Sequence, residues 1–102
     1  MKCQLVLQWP YQAGRDYDEL LKTEEFLLEH LPRSAEIDGH DVGREEVNIF
    51  ILTNEPLDCF ESVKALLGGR HVWKNLRAAY RDLSGTGYTI LWPSDLTEFK
   101  VG

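Results

Sequence analysis

A chain of 102 residues, 43% hydrophobic and 27% charged, has the size and balance of one globular domain and not of a disordered segment. Its formal charge of -6 argues against general nucleic-acid binding, which needs dense cationic charge to neutralise phosphates. No apolar run approaches the roughly 20 residues of a membrane span, and the alternating N-terminus lacks a signal peptide's apolar core, so a soluble, cytoplasmic protein with no membrane contact is expected.

Taken in chain order, residues 3–9 alternate: Cys3, Leu5, Leu7 and Trp9 point one way, Gln4, Val6 and Gln8 the other. A period of two predicts a strand, which Pro10 ends because proline has no N–H for the ladder. Gly14 lies in the connection, and Asp16 or Asp18 is placed to cap a helix running to about His30. Tyr17, Leu20, Leu21, Leu27, Leu28 and Leu31 fall at helical spacing on one face, and Pro32 stops the helix.

A short strand near Ala35–Asp38 and a longer one over Glu46–Thr53 then flank a glycine-punctuated turn, predicting an antiparallel hairpin. Val47, Ile49 and Ile51 load one face of the longer strand and Phe50 and Leu52 the other, the mark of a central strand. Asn54 reads as the N-cap of a second helix, with Pro56 in its first turn. That helix turns Phe60, Val63 and Leu67 inward and ends at Gly68-Gly69.

The stretch 71–83 fits two patterns. Val72, Trp73, Leu76, Tyr80 and Leu83 can be drawn on a helix face. The strong turn Ser84-Gly85-Thr86-Gly87 before Tyr88-Thr89-Ile90-Leu91-Trp92 favours a hairpin pairing about 78–83 with 88–92. Pro93 closes the last strand and leaves a short tail with Leu96, Phe99 and Val101. The order strand, helix, two strands, helix, one or two strands predicts an α+β fold of the ferredoxin-like, split βαβ kind. In that arrangement two helices cover one face of an antiparallel sheet, here with an extra C-terminal hairpin strand.

Charge is segregated along the chain. Residues 16–29 hold six acids against Lys22, and residues 36–46 hold five acids against Arg44, a net -4. Residues 64–81 hold Lys64, Arg70, Lys74, Arg77 and Arg81 with no acid, which keeps a local anion site in view beside Arg70-His71. Cys3 and Cys59 sit among apolar neighbours and read as buried thiols, too few for a disulfide framework or a zinc finger.

The candidate site is the stretch Glu36–Glu46. It carries Asp38, His40, Asp41, Glu45 and Glu46 next to the best strand, and a rigid strand presenting a polar loop is a usual way to build a site. Imidazole and carboxylates can share a proton or ligate a metal, but the spacing matches no defined metal motif, and Asp-Gly is ordinary turn chemistry. Trp9 and Trp92 each end a strand immediately before a proline, and parallel strand directions would set both rings on one rim of the sheet. Tryptophan and tyrosine are common at binding surfaces and in cores alike. Signatures for dinucleotide, P-loop, Cys-x-x-Cys or Gly-x-Ser-x-Gly chemistry are missing from the chain.

Asp38-Gly39-His40-Asp41-x-Gly43, Asn48-Ile49-Phe50-Ile51 and Tyr88-Thr89-Ile90-Leu91-Trp92-Pro93 resemble a group of small uncharacterised bacterial proteins. That resemblance implies no activity and transfers no catalytic residue. The topology is also similar to ACT-type regulatory domains and dimeric ferredoxin-like monooxygenases, at fold level only.

These readings lead to the expectation of a small non-catalytic binding module without cofactor or metal. It would recognise a protein, in the manner of an inhibitor or immunity protein, or a small ligand, with homodimer formation left open. The binding residues would be Asp38, His40, Asp41 and Glu45, with Trp9 and Trp92 on the adjoining rim. The competing expectation is a small enzyme or metal-binding protein using His40 with Asp38 or Asp41.

Overall fold

The segments 3–9 and 46–53 become interior strands in the computed structural model, which describes residues 2–10, 16–43 and 45–101. The chain runs β1 (Cys3–Pro10), α1 (Asp16–His30), β2 (Ala35–Val42), β3 (Glu46–Thr53), α2 (Pro56–Leu67), a 3-10 turn (His71–Trp73), β4 (Arg77–Asp82) and β5 (Thr89–Trp92). The strands form one five-stranded antiparallel sheet in the order β2-β3-β1-β4-β5. The fold is therefore α+β, with two helices. Among the described residues, no helix is long and apolar enough to cross a membrane.

Alternation decides what each sheet face buries. Leu5 and Leu7 of β1 lie opposite Ile51 and Ile49 of β3. With Trp9, Val47 and Ala78 they form a core with Leu20 and Leu27 of α1 and Cys59, Phe60, Val63 and Leu67 of α2. Both helices thus pack on the same face. The apolar stripe of α1 is narrower than its spacing predicts: Leu21 and Leu31 are half-buried and Leu28 is 65% exposed. Asp18 lies within the first turn of α1. The side chains of Asp16 and Tyr17, and the residues Tyr11, Gly14 and Arg44, lie outside the described residues.

The N-cap of α2 is Glu55, without a side-chain cap, in place of the expected Asn54. Instead the Thr53 hydroxyl accepts the Glu55 N–H at 2.9 Å, so the strand's last residue organises the entry to the helix. The helix pattern over 71–83 gives way to one 3-10 turn followed by β4. Ala78 and Ala79 are fully buried in the sheet, opposite Leu7 and Val6. The C-terminal hairpin pairs Ala78 with Trp92, Ala79 with Ile90 and Tyr80 with Thr89.

The second sheet face is also covered, though the sequence pattern offers only an irregular tail to do it. Val6, Gln8, Asn48 and Ala79 are all buried there. The amide of Gln8 donates to Asn48 Oδ1 at 3.0 Å and to the carbonyl of Lys100 at 2.8 Å, tying the tail to the sheet. Phe99 packs on Tyr88 with ring centroids 5.1 Å apart.

Cys3 and Cys59 are both buried, and burial pushes the Cys59 thiol from its ordinary 9.0 up to about 11. Since thiolate is the reactive form, a thiol reagent at neutral pH should label the native protein far more slowly than the denatured one. Fast labelling of Cys59 without denaturant would contradict its packing. Because the folded pKa lies above the unfolded one, the stabilisation from this group is complete below pH 9 and is lost as the pH rises through 11.

Candidate functional site

The segment read as a loop is largely strand. β2 extends to Val42, so Asp38, Gly39, His40 and Asp41 belong to an edge strand, and Gly43 N–H donates to the Glu46 carbonyl at 2.8 Å where β3 begins. The glycine that reads as a turn signal serves a bulge. Ile37 opposes Ile51 while Gly39 opposes Phe50, leaving Asp38 as an extra residue. Gly39 sits at φ +129°, a region closed to most side chains.

This bulge resets which residues share a face. His40 lies opposite Ile49 and so faces the helices, as Ile37 does opposite Ile51. Its Nδ1 is 3.1 Å from both carboxylate oxygens of Glu24 on α1. Asp41 lies opposite Asn48, on the other sheet face. Of the two carboxylates that the competing expectation set beside His40, Asp38 and Asp41, the second faces the other way, and the ring meets a helix carboxylate, Glu24. Asp38 stays on the helix side, lining a groove with Leu21, Glu24, Glu25, Leu28 and Ile37.

The acidic segments of α1 and β2, distant in sequence, thus meet along this groove. Glu24 and Glu25 are the functional candidates that sequence reasoning missed. Their signal was the acid run 16–29, but only a β1-α1-β2 crossover setting α1 over β2 makes it one surface with 36–46. Glu45 is exposed in the turn. Among the described residues, no group of three or more His, Cys, Asp or Glu side chains is placed to hold a metal ion.

The two tryptophans share one end of the sheet, and the 71–75 turn stands between them. Trp9 is buried, and its indole N–H donates to the Val72 carbonyl at 2.7 Å. Trp92 is half-buried against Trp73, centroids 5.4 Å apart, with the Lys64 ammonium 5.6 Å above its ring. Much of the basic segment is similarly engaged. Arg70 lies 3.9 Å over Phe26, and Arg81 donates to Gln4 Oε1 and the Gly85 carbonyl.

No family model, curated protein or solved structure matches the chain.

Proposed function

We propose that the chain is a single-domain recognition module that binds a basic segment of a partner protein in the acidic groove between α1 and β2. The carrying observation is the convergence of Glu24, Glu25 and Asp38 around an apolar floor of Leu21, Leu28 and Ile37, with Leu28 65% exposed. Carboxylates beside accessible apolar surface suit a partner that offers Lys or Arg next to a hydrophobic residue. Strand order supports a split βαβ, ferredoxin-like description, since β3 lies between β1 and β2, and β1 lies between β3 and β4.

Recognition here works through side chains more than through strand addition. β2 is a sheet edge, but its bulge and its exposed Glu36, Asp38 and Asp41 are the usual devices that discourage backbone pairing. The groove lies beside that edge and escapes this protection.

A panel of peptides combining Lys/Arg with Leu or Phe should include binders whose association slows as salt rises. Glu25→Gln with Asp38→Asn should slow that association several-fold and flatten its salt dependence, while Asp41→Asn with Glu45→Gln should change it less, and circular dichroism should stay unchanged. If the groove pair leaves both rate and salt dependence as they were, this surface is not the recognition site.

A further inference from the structure

A separate cavity opens where β1 ends, about 110 Å³ in volume, between α1 and the turn that follows α2. Its floor is apolar and buried: Trp9, Leu20 and Val47 are each less than a tenth exposed. Its rim carries charges of both signs. Glu19 comes from α1 and Lys74 from the 71–75 turn, which also places the His71 imidazole on the rim.

Among the described residues, Glu19, His71 and Lys74 take part in no ion pair, although nearly all the other cations of the basic segment are engaged by rings, carbonyls or amides.

The wall is also rigid. The Trp9 indole fixes Val72 at 2.7 Å, and the turn closes through Lys74 N–H to His71 O and Leu76 N–H to Trp73 O. Asn75 takes the left-handed conformation, φ 67°, which asparagine tolerates better than most residues, and so turns the chain at the cavity wall. Ordering costs on binding are therefore small.

A purely anionic ligand would meet Glu19 and a purely cationic one Lys74. A ligand with both charges a few bonds apart satisfies each side. The volume is below the roughly 150 Å³ cavity that admits benzene, so it suits a compact head group or small side chain and excludes a drug-sized molecule. We propose that this cavity binds a small zwitterion of the α-amino-acid type, its carboxylate toward His71 and Lys74, its ammonium toward Glu19, and its apolar part over Trp9. The site is independent of the acidic groove.

The test is titration of the isotope-labelled protein with free amino acids carrying small neutral side chains, followed by heteronuclear NMR. The Trp9 indole N–H is the reporter, because it sits in the cavity wall. At least one amino acid should shift it saturably, together with the amides of Val72 and Lys74. N-acetylation or methyl esterification of that ligand should abolish the shift. Glu19→Gln and Lys74→Gln should each weaken binding by about two- to fivefold, the range for a solvent-exposed charge contact, and both are surface changes that leave the core intact. No saturable shift with any free amino acid, or equal binding of the N-acetyl form, overturns the proposal.

Discussion

Truncating Ile49 or Ile51 to Ala will each lower the free energy of unfolding by about 2–5 kcal/mol, the range for large-to-small changes at fully buried sites. Both side chains are completely buried in β3, which has neighbours on both sides. Ile49 lies opposite Leu7 and Ile51 opposite Leu5, and the same core includes Leu27 and Val63 from the two helices. A void bounded by strands and helices has little freedom to collapse, which places the cost toward the upper half of that range. For a domain of this size, whose whole stability is about 5–15 kcal/mol, one such change removes a large fraction. Glu45→Gln sits in an exposed turn and should cost a few tenths of a kcal/mol at most. Denaturant titration decides the matter: midpoints of Ile51→Ala and Glu45→Gln that shift equally would mean that β3 is not the structural centre.

That contrast also marks what could be read from the sequence. β1 and β3 were legible because period-two alternation survives wherever a strand is regular and one face meets the helices. α2 was legible because Pro56 and Gly68-Gly69 mark its ends and Phe60, Val63 and Leu67 keep helical spacing. β2 was not. Its bulge inserts Asp38, so Ile37 and His40 reach the same face three positions apart, and the alternation that identifies a strand is broken. Asp-Gly then suggests a turn, when the glycine is needed for φ +129° inside the strand.

The candidate site was legible in composition but not in arrangement. Two acid-rich segments were visible, yet nothing in 36–46 indicates that its histidine will face Glu24 and not Asp41. Parity set by a bulge makes that choice, together with a crossover that lays α1 beside β2. Trp9 and Trp92 do share one end of the sheet, but Trp9 is spent on the core and on Val72. The cover over the second sheet face was hidden for a different reason. Residues 93–101 have no regular structure, so no periodicity advertises them, and one buried glutamine helps to hold them on the sheet.

That glutamine supports the second large effect. Gln8 stands in β1 between Asn48 of β3 and Arg77 of β4, in a polar row across an otherwise apolar part of the sheet. It is 1% exposed and Asn48 is fully buried. Its amide supplies the donor for both Asn48 Oδ1 and the Lys100 carbonyl, while Asn48 Nδ2 and Arg77 Nε are buried without a partner among the described residues. Replacing Gln8 by Leu keeps the volume but strips two acceptors of their donor, at a cost of about 1–3 kcal/mol for each group that stays buried. Part of that cost is relieved if the tail lifts and lets water reach Lys100. Gln8→Leu should therefore destabilise the protein and also hasten chymotryptic cleavage after Phe99, where the tail must open first. Adding Asn48→Leu removes the stranded Oδ1 and the partnerless Nδ2 together, so the double variant should be more stable than Gln8→Leu alone, even though Asn48→Leu changes a buried site. A double-mutant cycle by denaturant titration measures this coupling. Strict additivity, with cleavage at Phe99 unchanged in Gln8→Leu, would show that the Gln8 amide neither links the two strands nor holds the tail.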